Sequence, residues 1–434
     1  MLTRVARGFL RFGSFEICLR ETDGKAGPSA GLEEEVLPPL FEYALERHYP
    51  HLSALPTREE RAVALTREVA VRTARLVAAW QAVGFVHGVL NTDNMAVSGD
   101  TIDYGPFGFM DLYDPDYVPN TSDAAGRYSY KQQPAVCAWN VRRLARCLAP
   151  LLGTAAVARK AEEAAARAYW AEFETERRRR FRDKLGLLQR DEGVADDRLL
   201  ASLLEVMQST GADFTNVFRS LSRISWDASE GGCYRPPQVF DAVLEYCLAQ
   251  CGSCEAMLKR AKPVFHPKAL ARLVLIAESE PATLARFGLD VSVVERERGR
   301  AERRDALASV TPRDKRLADA ETWRSWLHAY RLRLYRERAA LVGELQAPDL
   351  EPTEAAGLLA AAARRKAAMD GANPRFILRQ HIAARVIERA ENHDFVELRR
   401  VQEMLSTPYA DQGHTMSEKY ASLPPDWSHS LVLT

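Results

Sequence analysis

The sequence has no run of about 18 or more consecutive apolar residues, so no segment is expected to span a membrane as a helix. Its first residues, MLTRVARGFLRFGSFE, lack the apolar core of a signal peptide, and secretion is not supported. There is no excess of charge of either sign: Lys plus Arg number 59 and Asp plus Glu number 59. That balance argues against a general polyanion binder, and no nucleic-acid partner is expected. The basic runs Arg177 to Arg180 and Glu295 to Arg304 are mixed with Glu and have no interleaved aromatics, so each reads better as a solvated helix face. Cysteines are few and odd in number, seven in all, which excludes a disulfide framework at this length. Cys251-Gly-Ser-Cys254, with Cys247 one helical turn earlier, has redox or zinc-ligand spacing. No second pair follows at finger spacing, and ordinary thiols at a helix end are the better reading. Apart from His87 the histidines have no paired spacing, and no regular internal repeat is present.

What is present is a chain of 434 residues, 47% hydrophobic and 27% charged, long enough for two or three domain-sized units. Residues 1–17 alternate like a strand entering a loop. A helix is predicted from Pro38 to Tyr49, with both leading prolines in its first turn. Thr57 with Glu60 makes a capping box for a helix that runs to about Val83, where Gly84 suits the stop. A buried helix carrying Trp139, Val141, Leu144 and Leu148 is predicted over Val136 to Leu152. From Thr154 onward helix follows helix, with Asp213 as an N-cap and one helix from Pro237 to Leu258. The tail from Thr407 reads as mostly irregular. Asp111, Asp114 and Asp116 could be a metal cluster, but solvated turn acids are the simpler reading.

The chain is organised around His87 to Phe107, HGVLNTDNMAVSGDTIDYGPF. Asn94 and Asp103 flank a turn built on Gly99 and Asp100, and two short strands joined by such a turn bring both side chains to one end. An amide oxygen plus a carboxylate, with room for water, suits Mg²⁺. Asp93 is a third acid within reach. His87 could be a general base, but a structural hub is the better reading.

This pattern resembles a protein-kinase catalytic loop followed by the DFG segment, with Asp103-Tyr104-Gly105 in the DFG place. Val89 stands where a kinase has its catalytic Asp, which disfavours ordinary kinase activity. Together with Thr3-Arg4-Val5-Ala6, Leu10-Arg11-Phe12-Gly13, the stretch Thr210 to Thr215, Asn373-Pro374-Arg375 and Leu378-Arg379, the string resembles the selenoprotein O family. The resemblance implies a mainly α fold. It has a protein-kinase-like large lobe, short β segments around the active site and a long helical C-terminal extension. The implied divisions are a remnant of the small lobe and hinge over 1–20, the large lobe over 21–155, the extension over 156–406 and a tail over 407–434. The implied activity is transfer of AMP from ATP to Ser, Thr or Tyr hydroxyls of proteins, with release of pyrophosphate. Asn94 and Asp103 would hold Mg²⁺, Asp93 would take the hydroxyl proton, and Arg4 and Arg11 would steady the phosphates. Location would be mitochondrial in a eukaryote and cytoplasmic otherwise.

Family members carry a glycine-containing nucleotide loop and a phosphate-binding Lys ahead of the TRVA strand, and neither precedes it here. The chain as written is therefore expected to turn over ATP poorly. The alternative is a non-catalytic pseudokinase remnant that acts as a binding scaffold. By the same resemblance, the Pro424-Pro425-Asp426-Trp427 segment leads to the expectation of a selenocysteine just past Thr434, as in eukaryotic family members.

Overall fold

The computed structural model describes residues 5–6, 8–19, 33–224, 237–342 and 352–431. These residues are mainly helical. Helices α1 (Phe12–Glu16), α2 (Glu33–His48) and α3 (Arg58–Val83) lead into strand β1 (Phe85–Val86), which pairs antiparallel with β2 (Gly108–Phe109). There follow α4 (Gln133–Cys147), α5 (Ala155–Leu185), α6 (Val194–Thr210), α7 (Phe214–Ser220), α8 (Pro237–Ala249) and α9 (Cys254–Arg260). Then come α10 (Pro267–Ser279), α11 (Pro281–Leu284), α12 (Val291–Ala308), α13 (Pro312–Val342), α14 (Pro352–Ala372), α15 (Gln380–Glu391), α16 (Val396–Ser406) and, within the tail, α17 (His414–Tyr420).

The local signals at α3 act as expected. The Thr57 hydroxyl accepts from the Glu60 amide at 3.1 Å, the Glu60 carboxylate accepts from the Thr57 amide at 3.2 Å, and Gly84 ends the helix at φ +69°. One face of α3, through Leu65, Val69, Ala74 and Val77, is fully buried against α4 and α5. With Phe12, Phe15, Phe41, Val141, Leu144 and Tyr169 it forms the first of three apolar cores. The second gathers Phe181, Leu203, Phe214, Phe218, Trp323, Trp326 and Tyr330. The third, around Phe376, Ile382, Val401, Met404 and Tyr420, closes the C-terminal end.

Several expectations are corrected. Residues 12–16 are helical, not extended, because Phe12 and Phe15, three residues apart, both turn fully into the first core. Among the described residues of this stretch, Arg11 is extended, in a bridge to Ala96. Helix α2 is already formed at Glu33, which puts Pro38 and Pro39 inside it, beyond its first turn. Trp139 points outward, 47% exposed, with the Arg127 and Arg143 guanidinium carbons 5.3 and 5.9 Å from its ring. The helix expected from Pro237 to Leu258 breaks at Cys251-Gly252. There the Gly252 Cα packs against the Gly211 carbonyl, and Ser253 caps α9 by accepting from the Ala256 amide.

Candidate functional site

The loop from His87 to Gly105 is held from below by buried polar side chains on α4. Gln133 and Asn140 lie two turns apart on one face of that helix. The Gln133 side chain accepts from the His87 amide at 2.9 Å and donates to the Phe85 carbonyl at 2.9 Å. The Asn140 amide donates to the Leu90 carbonyl at 2.8 Å. From the other side Asn120 donates to the Gly88 carbonyl at 3.1 Å, where Gly88 turns at φ +82° with its Cα against the Pro106 carbonyl. These clamps were not foreseen in the sequence. The signal that could have found them is a pair of amides inside an otherwise apolar helical face.

His87 is a hub, fully buried beside Trp80, Phe85 and Tyr104. Its Nδ1 accepts from the Val89 amide at 3.3 Å, so the ring proton sits on Nε2. Nε2 faces the Thr101 hydroxyl at 2.7 Å, and that hydroxyl donates to the Asn94 carbonyl at 2.8 Å. A relay of two hydrogen bonds therefore ties the hub to the backbone of Asn94. Burial pushes the His87 pKa down to about 4, against the smaller opposing pull of the Asp103 backbone and charge. An imidazole so shifted is neutral at pH 7 and a weak base, which fits the hub rather than a proton acceptor.

The sign of the pH effect follows. Between pH 6.5 and about 4 the unfolded chain binds a proton on His87 that the folded chain does not. The neutral-ring contribution is therefore complete above pH 6.5 and is lost as the pH falls toward 4. It amounts to at most about 3 kcal/mol. In urea unfolding at pH 7 and pH 4.5, His87→Asn is expected to lose less stability on acidification than the wild type. Equal losses would contradict the assignment.

The hairpin forms with Gly99 at φ +88°. Met95 bridges Thr101, the Ala96 amide donates to the Asp100 carbonyl at 2.9 Å, and the Ile102 amide donates to the Asn94 carbonyl at 3.1 Å. Asn94 thus faces Ile102 across the hairpin, with Asp103 next in line. The Asn94 amide nitrogen donates to the Val89 carbonyl at 2.9 Å, which turns its side-chain oxygen away from that backbone. Asp103 and Asp93 are exposed. Arg11 joins the same patch: the Phe12 amide donates to the Met95 carbonyl at 2.9 Å and the Gly13 amide to the Thr92 carbonyl at 3.0 Å. The structure therefore brings together Arg11, Asp93, Asn94 and Asp103, whereas Arg4 lies outside the described residues.

Gly13 is required by this packing, since a Cβ there would meet the Asp93 carboxylate oxygen. Gly13→Ala would raise helix propensity by up to about 1 kcal/mol, so stability is not what it threatens. It would displace the carboxylate instead, and where that carboxylate takes the proton, as the family resemblance implies for Asp93, a shift of ~1 Å can cost about 10²-fold in rate. On that reading, AMP-transfer kinetics would show a rate lower by about 10–10²-fold with the half-saturating ATP concentration little changed.

The acids after Gly105 make no metal cluster; Asp114 is a turn acid, accepting from the Asp116 amide at 2.9 Å, but these acids are ion-paired rather than freely solvated. Asp111 pairs with Arg379 at 2.5 Å, Asp116 with Lys131 at 2.7 Å and Asp114 with Arg260 at 3.4 Å. Among the described residues no group of three or more His, Cys, Asp and Glu could hold a metal ion. The thiols of Cys247 and Cys251 are raised by burial, and the Cys251 sulfur accepts from the Trp323 indole at 3.3 Å, as fits ordinary thiols at a helix end.

Residues 1–337 match the family model described as protein adenylyltransferase SelO. The chain belongs to the SelO family. Its SelO-family relatives include the mitochondrial protein adenylyltransferase SelO of Mus musculus, 38% identical over 100% of this chain and 63% of the mouse protein. The mitochondrial SelO-1 of Danio rerio is 40% identical over 95% of this chain and 57% of its own length. The protein nucleotidyltransferase YdiU of Paraburkholderia xenovorans is 32% identical over 100% of this chain and 63% of its own. The chain thus spans about three fifths of the length of the curated SelO relatives it matches.

Proposed function

We propose that this chain carries the catalytic loop of a protein adenylyltransferase, on a protein-kinase-like large lobe with a helical C-terminal extension. One observation supports this above the others. Asn94 and Asp103 lie at one end of the hairpin, and the backbone of Arg11, Phe12 and Gly13 runs beside it, bridged to Ala96, bonded to Met95 and Thr92, and against the Asp93 carboxylate. An amide oxygen and an exposed carboxylate are hard donors open to water, a set that fits Mg²⁺ with several of its own waters retained. When bound, Mg²⁺ would neutralise charge on the phosphates of ATP.

The chain's own residues do the rest by position. Asp93, an exposed carboxylate beside the hairpin, would take the proton of a Ser, Thr or Tyr hydroxyl on a protein substrate. The hydroxyl oxygen attacks the α-phosphorus, the bond to the pyrophosphate oxygen breaks, and AMP is left on the protein. Arg11, and Arg4 by the family resemblance, supply guanidinium donors suited to phosphate oxygens. Val89 offers no proton acceptor at the position a kinase would use. The substrates are proteins and ATP, with no role for nucleic acid or membrane. The eukaryotic relatives are named as mitochondrial, and a eukaryotic source would place this chain there; a bacterial source would place it in the cytoplasm. Parallel reactions with α-labelled and γ-labelled ATP test the proposal. Label on protein from the α position alone is expected, and label from the γ position alone would make the reaction phosphoryl transfer and overturn it.

A further inference from the structure

Two adjacent residues at the start of α15 reach the segment that follows Asp103. Arg379 is fully buried, and its Nη1 lies 2.5 Å from Asp111 Oδ1 and 2.7 Å from Asp213 Oδ2. Those two acids sit on neighbouring backbones: Leu112 bridges Asp213, the Phe214 amide donates to the Asp111 carbonyl at 2.8 Å, and the Tyr113 amide donates to the Ala212 carbonyl at 2.8 Å. Without the guanidinium, two carboxylates would face each other with little water, an arrangement that disfavours both charges. Gln380 acts higher up the same segment, donating from Nε2 to the Phe107 carbonyl at 3.0 Å. Gly108 leaves no slack there, because a Cβ on it would lie 2.8 Å from Gln380 Nε2 and 2.5 Å from the Tyr117 hydroxyl.

The run from Asp103 to Asp111 is thus held by backbone bonds at Gly108, Phe109, Met110 and Asp111 and by two side chains of the C-terminal extension. The Phe109 and Gly108 backbones pair with β1, the Phe107 carbonyl is held by Gln380, and the Asp111 carboxylate is held by Arg379. Only Tyr104, Gly105 and Pro106 separate Asp103 from Phe107, the first residue so held. The two side-chain holds come from the C-terminal extension, more than 260 residues away, at separations of 273 and 268 residues.

We infer that Arg379 and Gln380 are positioning residues that latch the segment behind Asp103 and so set where its carboxylate stands for a divalent cation. The inference rests on Asp103 as a ligand in the proposed reaction. Groups that orient a ligand without touching the metal typically change its affinity about 10–100-fold.

The discriminating variant is Gln380→Leu, which removes one donor and introduces no buried charge. Three measurements are made on the whole chain: amide hydrogen exchange of residues 104–110 without metal, Mn²⁺ binding followed by electron paramagnetic resonance, and thermal melting. Gln380→Leu is expected to speed exchange over 104–110 and to weaken Mn²⁺ binding about 10-fold, with the melting temperature little changed. Arg379→Lys, which keeps the charge but on a shorter side chain that places its nitrogen differently between the two acids, is expected to weaken Mn²⁺ in the same direction.

Tyr420→Phe serves as the control within the extension. It removes the hydroxyl donated to Glu397 at 3.0 Å in the third core and should lower stability without moving Mn²⁺ affinity. An unchanged Mn²⁺ affinity in Gln380→Leu overturns the latch, whatever happens to exchange or melting. Absence of Mn²⁺ binding in the wild type also overturns it, together with Asp103 as a ligand. Mn²⁺ binding that shifts as expected in a protein that transfers no AMP leaves the latch standing and sinks the adenylyltransferase reading alone.

Discussion

Asp103→Ala is expected to lower AMP transfer by about 10³-fold while leaving the fold intact. Removing a single preorganised electrostatic group from a site of this kind typically costs roughly 10²–10³ in rate. Asp103 sits at the upper end, because it is the only charged member of the proposed two-residue ligand pair and its loss removes the cation as well. Stability should hardly move. Asp103 is exposed at the open end of the hairpin, and substitutions of this kind usually stay within about 0.5 kcal/mol. Asp103→Asn, which keeps the shape and one oxygen, should fall between the wild type and Ala. The check is incorporation of α-label into protein, with the melting curve of each variant measured beside it. Transfer by Asp103→Ala within ten-fold of wild type would remove Asp103 from the site.

The second large effect is on stability. Arg333 on α13 is 2% exposed and lies between Asp196, with Nε 2.6 Å from Oδ1, and Glu337, with Nη1 2.7 Å from Oε1. It also donates to the Arg190 carbonyl at 2.5 Å. Glu337, fully buried, accepts in turn from the Gln189 and Arg190 amides at 2.7 and 3.2 Å. Burial disfavours the Arg333 charge, yet the two carboxylates more than offset it and raise its pKa. Arg333→Met would strand two buried carboxylates, and breaking such a pair from one side costs about 3–5 kcal/mol. The neighbouring Arg336 also pairs with an acid, Glu192 at 2.9 Å, but its side chain is 46% exposed. Arg336→Ala should therefore cost no more than about 1 kcal/mol. Urea unfolding of the two variants gives the comparison, and similar losses would show that burial is not what makes Arg333 matter.

The difference between those two arginines is a measure of what can be read from a sequence. Local chemistry was legible. Thr57, Glu60 and Gly84 state the bounds of α3 within a few residues of themselves, and Asp213 announces the cap of α7 in the same way. The Gly99 turn announces the hairpin, in which Asn94 faces Ile102, the neighbour of Asp103. What was not legible depends on partners far along the chain. Asp111, Asp114 and Asp116 look like turn acids until Arg379, Arg260 and Lys131 arrive beside them. Asp213 reads as a cap, but nothing near it tells that it also holds Arg379, 166 residues on. Trp139 was assigned to the core because an apolar stripe was assumed to include it, whereas two guanidinium groups cover its ring at the surface. The break in the helix expected after Pro237 was visible in part, since Gly252-Ser253 is a stop followed by a cap. Its cause is the close approach of Gly211, which only the fold supplies.

The latch has a bearing on the order of events at the ribosome. Asp111 and Arg379 are 268 residues apart. At about 5–20 residues per second, the partner of Asp111 is made roughly 13–54 seconds after it. During that interval the nascent chain already carries Asp93, Asn94 and Asp103, and local turns suffice to shape their hairpin. The segment behind Asp103 still lacks both of its side-chain holds, from Gln380 and from Arg379. On the proposed reading, the site would thus be kept from its final arrangement, beside its own emerging chain and its neighbours on the polysome, until residues 379 and 380 have been synthesised.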